Sequence, residues 1–144
     1  RRSVLEEGKP FLGICLGMQL LVDKGYEHGE TEGLGLINGQ CKVMSVQDSD
    51  PSLRVPHIGW NNVTVHQPDG LYAGLEDEPC FYFVHSYIVI PEDHSVVSGT
   101  TNHSNDFAAS IEKDNICATQ FHPEKSHLSG IKLIKNWCEK YKLC

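Results

Sequence analysis

What the sequence lacks sets the first bounds on it. No apolar run approaches the roughly 18 to 20 residues needed to cross a bilayer, and Arg1-Arg2 leads into Ser3-Val4-Leu5-Glu6-Glu7 rather than a signal-peptide core. A soluble, intracellular chain with no membrane partner is the expectation. Positive charge is scarce: 12 Lys and Arg stand against 19 Asp and Glu, a formal charge of −7. Such a chain offers no clustered basic surface to neutralise phosphates, so no nucleic acid partner is expected. The six cysteines include no C-x-x-C or other metal or redox spacing. A disulfide scaffold is not expected, and Cys41, Cys80, Cys117 and Cys138 fall in strand or helix patterns that read as buried packing. His28, His66, His94, His103 and His127 lack paired ligand spacing, and neither metal nor cofactor is expected. Asn62-Val63-Thr64 and Asn102-His103-Ser104 match the glycosylation triplet, but without a secretory route they carry no chemistry.

What is present fits one domain: 144 residues with 40% apolar content can bury a real core. Leu5-Glu6-Glu7-Gly8 reads as a helix end closed by a C′ glycine. After Pro10, the short continuous run Phe11-Leu12-Gly13-Ile14 reads as a central strand buried on both faces. A helix over 16–24, ending at Gly25, is expected next, then a Gly-rich loop to Gly39 and a strand over 40–46. Strands are expected over 81–84, 87–90, 96–101, 107–112 and 116–121. Ile131, Ile134, Cys138 and Tyr141, flanked by Leu133 and Trp137, predict a closing amphipathic helix. The order implies an α/β sheet covered on both sides. A central strand needs neighbours on both edges, and only a helix end precedes Pro10. The expectation is therefore a single domain over 1–144 whose N-terminal part is missing.

Chemistry concentrates in two segments. Gly13-Ile14-Cys15-Leu16-Gly17 sets a cysteine between glycines at a strand-to-helix junction, the pattern of a nucleophile elbow. The helix starting at Leu16 would aim its free N–H groups and dipole at Cys15, favouring a thiolate near neutral pH. The bland alternative is that Cys15 is a small buried apolar residue. Phe121-His122-Pro123-Glu124 supplies the base that a nucleophile needs: an imidazole at a strand end, with a carboxylate two residues on to orient it. Cys15, His122 and Glu124 together read as a triad.

Pro10-Phe11-Leu12-Gly13-Ile14-Cys15-Leu16-Gly17-Met18-Gln19 with Phe121-His122-Pro123-Glu124 resembles the class I (triad) glutamine amidotransferases. Within that group Pro56-His57-Ile58-Gly59-Trp60-Asn61, Phe83-Val84-His85-Ser86-Tyr87 and Lys125-Ser126 resemble the glutaminase of imidazole glycerol phosphate synthase, in histidine biosynthesis. The resemblance implies a flavodoxin-like central sheet with flanking helices. It implies that Cys15 attacks the glutamine side-chain amide, that His122 passes the proton to departing ammonia, and that water cleaves the γ-glutamyl thioester. Gln19, Leu16 (through its N–H) and Gly17, with the backbone at Ser86 and Tyr87, would hold the substrate. A further oxyanion element would lie in a glycine-containing loop earlier in the chain. Ammonia would pass to a (β/α)8-barrel synthase, a separate subunit or a fused domain, which makes imidazole glycerol phosphate and aminoimidazole carboxamide ribotide. His57, Gly59, Trp60, Asn61, Tyr82 and Lys125 would lie near that contact and the ammonia passage, with Pro56 to Asn61 as a loop. The implied compartment is the cytoplasm, or the plastid in a plant.

The residues leave other readings open. Trp60 and Tyr82 read equally as core aromatics, Lys125 as a solvated charge, and His57 and His85 as hydrogen-bonded structural residues. Rival functions are the glutaminases of anthranilate, carbamoyl phosphate or GMP synthases, a non-catalytic scaffold of the same fold, and a cysteine hydrolase acting on another amide.

Overall fold

In a computed structural model, residues 1–45 and 54–143 are described. The elements run α1 (Arg2–Leu5), β1 (Phe11–Ile14), α2 (Leu16–Gln19), β2 (Lys24–Gly25), β3 (Thr31–Glu32), β4 (Gly39–Val43), β5 (His57–Asn62), β6 (Thr64–Val65), β7 (Cys80–His85), β8 (Tyr87–Pro91), β9 (Val97–His103), β10 (Asn105–Lys113), β11 (Ile116–Thr119) and α3 (His127–Lys140). Val46, the last residue of the strand expected over 40–46, and Cys144, the sixth cysteine, lie outside the described residues. Among the described residues no helix is long and apolar enough to cross a membrane.

A five-stranded sheet in the order β1-β11-β10-β9-β6 organises the chain. Successive strand residues point to opposite faces, and here both faces are apolar. Phe11, Ala108, Ile116 and Ala118 join one core cluster, while Leu12, Phe107, Ala109 and Cys117 join another. The first cluster is completed by Met18, Leu21 and Val22 and by the four-stranded sheet β3-β2-β4-β8 through Cys41 and Val89. The second is completed by α3 through Leu133 and by the ribbon β5-β7 through Phe81 and Phe83. A bulge in β10 between Ala108 and Ile111 turns two consecutive residues to the second side, so Ala109 packs there and Ser110 Oγ meets the buried Tyr72 hydroxyl at 2.6 Å.

β1 pairs with β11 among the described residues, and Gly13 is its one buried residue. Two sequence expectations need correction. The helix expected over 16–24 is one turn, Leu16–Gln19. Its continuation is pre-empted because the carbonyls of Leu20, Leu21 and Asp23 accept from Leu34, Leu36 and Gly33 instead of from the next turn. Residues 57–62, expected as a loop from Pro56, form β5, paired antiparallel with β7 from His57↔His85 to Asn62↔Cys80.

α3 forms where expected but with a rotated buried face. Gly130, Leu133 and Asn136 are inside, whereas Ile131 is 64% exposed. Polar anchoring fixes that rotation: Asn136 Nδ2 donates to the carbonyls of Leu71 and Ala73, both at 2.8 Å. The buried carboxylate of Glu112 accepts from Leu71 N and from Lys140 Nζ of the same helix. Cys41 and Cys117 are buried as expected, but Cys80 is exposed and Cys138 only partly buried.

Candidate active site

β1 and β11 are parallel neighbours in the register Ile14↔Thr119, so their carboxyl ends deliver the next residues of both segments to one edge. Cys15 follows β1 with φ 50° and ψ −103°, a conformation rare outside glycine. Its N–H is held by the Thr119 carbonyl at 2.7 Å. The turn is tight enough that a Cβ on Gly13 would come within 2.7 Å of the Gly17 carbonyl oxygen, whereas one on Gly17 would meet nothing. Gly13 is thus the glycine that the elbow requires sterically.

The thiol of Cys15 is half-buried. Its sulfur lies 3.8 Å from the Val84 carbonyl and 3.7 Å from Gln120 Nε2, which donates to it. Burial pushes the thiol up from its ordinary range, and the nearby Glu124 carboxylate adds to this. The Leu16 N–H, the Gln120 amide and the Lys125 ammonium pull it back without overturning burial. The helix expected to favour a thiolate is a single turn and supplies little dipole, and burial holds the thiol above its ordinary range.

His122 follows β11 and is placed by backbone and side-chain bonds together. Its N–H donates to Tyr82 O at 2.9 Å, and Ser126 Oγ donates to its carbonyl at 2.6 Å while accepting from Tyr82 N. The ring's Nδ1 meets Glu124 Oε1 at 2.6 Å, with the histidine side chain 18% exposed and the glutamate 46%. That bond leaves Nε2 as the nitrogen able to exchange a proton. The structure therefore brings Cys15, His122 and Glu124 to one sheet edge, without a thiol–imidazole hydrogen bond among the described residues.

Around the thiol lie polar groups that the sequence marks weakly. Gln19 Nε2 donates to Tyr87 O at 3.1 Å and approaches Gln120 Oε1 at 3.4 Å. Ser86 gives its carbonyl to Met44 N. Leu16 is 58% exposed beside the elbow, and Gly17 is partly buried. Gln120 is fully buried and was not anticipated, since a lone glutamine beside Phe121 has no spacing signature.

Of the six residues expected at a partner contact, five divide between the two faces of the β5–β7 ribbon, and Lys125 lies outside it, in the turn Pro123–Lys125. Trp60 and Tyr82 are cross-strand partners on the outer face, edge-to-face at 5.8 Å, with Ile58 and Val84 one pair further along. Trp60 is 48% exposed and stacks on His127 at 5.0 Å, and exposed Lys125 lies in the same connection between His122 and α3. Ile58, 59% exposed, belongs to this outer face and was missed.

His57, Gly59 and Asn61 alternate onto the inner face. His85 Nδ1 donates to Tyr87 O at 2.9 Å, which makes its Nε2 the acceptor for His57 Nδ1 at 3.0 Å. Asn61 Nδ2 donates in turn to His57 Nε2 at 3.3 Å. Burial first, then the neighbouring imidazoles, push His57 down to about 3; burial, opposed by the Tyr87 carbonyl, pushes His85 down to about 4. Both are neutral, and among the described residues no cluster of His, Cys, Asp or Glu is placed to hold a metal. A cavity of about 700 Å³ lined by Ile88, Ile90, Val97 and Phe107 includes neither Cys15 nor His122.

Such an edge can form a thioester at a thiol, move a proton through an imidazole held by a carboxylate, and stabilise charge with the Leu16 N–H. Among known families, that described as Glutamine amidotransferase class-I matches residues 1–140. The chain is 48% identical to the imidazole glycerol phosphate synthase subunit HisH of Aquifex aeolicus over 139 residues, covering 96% of this chain and 65% of that protein. It is 49% identical to a subunit of the same description, HisH 1, from Methanococcus maripaludis, covering 90% of this chain and 62% of that one. The chain thus spans less than two thirds of these relatives. A glutamine amidotransferase of Thermotoga maritima shares the fold at a TM-score of 0.63 and 20% identity, over 98% of this chain and 50% of that one. A glutaminase domain from Trypanosoma brucei with bound acivicin does so at 0.57 and 16%, over 90% of this chain and 60% of that one.

Proposed function

The chain belongs to the class I glutamine amidotransferase family, and from that premise we propose that it is the catalytic part of the glutaminase of an imidazole glycerol phosphate synthase, forming a single domain. Cys15 Sγ attacks the glutamine amide carbon, and the Leu16 N–H stabilises the developing oxyanion. His122 takes the thiol proton and gives it to the departing ammonia. Water, activated by the same imidazole, then cleaves the γ-glutamyl thioester and returns the thiol, so that glutamine and water yield glutamate and ammonia. Glu124 orients the ring from Nδ1, and Gln19, Gly17, Ser86 and Tyr87 line the substrate side.

Ammonia passes to a (β/α)8-barrel synthase docked on the outer face of the β5–β7 ribbon, where Trp60 and Tyr82 lie, and on the turn that carries Lys125, with His57, Gly59 and Asn61 supporting that ribbon from within. The setting proposed is the cytoplasm; the relatives, bacterial and archaeal, give no support to a plastid.

The observation that carries this reading is the parallel pairing of β1 with β11, which sets the elbow thiol and the His122–Glu124 pair on one edge. Glutamate release by the full-length protein is the test, with and without a barrel synthase and its nucleotide ligand. Release stimulated by the synthase supports the assignment. Release indifferent to it points to another amidotransferase branch, and absence of release under all conditions overturns the glutaminase reading.

A further inference from the structure

We propose that Gln120 is a positioning residue for the nucleophile: its buried amide donates an N–H to Cys15 Sγ and, through its carbonyl, holds Gln19 beside it. The inference rests on the glutaminase reading for its purpose, but its physical content stands on geometry alone.

Gln120 is fully buried, and a buried primary amide needs partners for both ends. Oε1 accepts from Gln19 Nε2 at 3.4 Å, and Nε2 donates to Cys15 Sγ at 3.7 Å, within reach for sulfur. Those bonds leave the amide no freedom to flip: reversed, it would set an NH2 against the Gln19 NH2 and an oxygen against the thiol. The backbone is equally fixed, with Gln120 N donating to Ala109 O at 2.8 Å.

A thiol donating to the Val84 carbonyl loses that bond on ionisation, whereas the Gln120 N–H···S bond strengthens as the sulfur becomes negative. The charged groups acting on this sulfur are the Glu124 carboxylate, opposing ionisation, and the Lys125 ammonium, favouring it. His122, between Gln120 and Glu124 in sequence, is the proton acceptor. Gln120 is thus a neutral, buried donor that works in the same direction as Lys125, and its pull on the thiol is toward the thiolate. Gln19 also donates to the Tyr87 carbonyl, so one amide couples the state of the nucleophile to the side chain expected on the substrate.

The test is the pH midpoint of Cys15 alkylation by iodoacetamide, followed on its own peptide by mass spectrometry in the full-length protein. Gln120→Met keeps length and removes the donor; Gln120→Glu replaces the donor by a carboxylate. The expected result is a midpoint higher by about one unit in the methionine variant, hence about tenfold slower alkylation below it, and a larger rise in the glutamate variant. Because either substitution is in the core, the Gln120 side-chain NH2 resonances of the wild type are also followed by NMR through the Cys15 titration. They are expected to move with the alkylation midpoint and to stay fixed in Cys15→Ala. An unchanged midpoint in a folded variant, or side-chain resonances indifferent to the thiol, overturns the proposal. Glutamine hydrolysis is scored separately: hydrolysis without these shifts removes only Gln120, and the shifts without hydrolysis remove only the glutaminase reading.

Discussion

Two neighbouring regions bury titratable groups and treat them oppositely. At the elbow, Cys15 is half-buried but receives the Leu16 N–H and the Gln120 amide, both of which favour its charged form. On the inner face of the β5–β7 ribbon, His57 and His85 are buried in a chain of bonds that uses their neutral tautomers, from Asn61 to the Tyr87 carbonyl. Burial pushes both regions toward neutrality; the polarity of the surrounding hydrogen bonds separates a thiol that is given donors to its charged form from imidazoles held as neutral scaffold. Cys41 shows the limit without donors: burial and the Glu27 carboxylate push it to about 11.

The largest expected effect sharpens this contrast. Cys15→Ala in the full-length protein lowers kcat/KM for glutamine at least about a thousandfold with the fold intact by circular dichroism. A folded His57→Asn variant that lost as much activity would break the distinction between the two regions. His122→Ala is expected to cost about a hundredfold to ten-thousandfold in kcat, and Glu124→Ala less, because orienting an imidazole matters less than supplying one. Equal, negligible losses in single-turnover assays would remove the triad.

The ribbon's signature is in stability. An unfolded histidine titrates near about 6.5, well above the folded values of about 3 for His57 and about 4 for His85. Below pH ~6.5 the unfolded chain therefore binds protons that the folded chain refuses. Their contribution is complete above about pH 6.5 and falls as pH drops toward 4, by about 1.4 kcal/mol per unit for each ring. Urea unfolding between those pH values should show this slope, and His85→Gln should remove one ring's share. The smallest effect is expected at the outer face: Trp60→Ala weakens synthase binding about tenfold, measured by titration calorimetry, while unstimulated glutamine hydrolysis is unchanged.

The chemistry was legible where it is local. Gly13 and Cys15 carry the elbow in their spacing, and His122 and Glu124 carry theirs two residues apart. Gln120 was not legible, because its contact with Cys15 spans 105 residues and exists only through the β1–β11 pairing. β5 was hidden behind Pro56, and the burial alternation that marks it as a strand depends on β7. The long helix after the elbow failed because tertiary partners in residues 33–37 capture the carbonyls that the helix would have used. In α3 the periodicity was right, but Asn136 and its carbonyl partners set the rotation and left Ile131 outside.

The most direct test of the account is to quench the full-length protein with acid during turnover of labelled glutamine in the presence of the synthase, and to map the label by peptide mass spectrometry. A γ-glutamyl thioester on Cys15, absent in Cys15→Ala, is the predicted result. Label on another residue, or undiminished glutamate release by the Cys15→Ala protein, would contradict it.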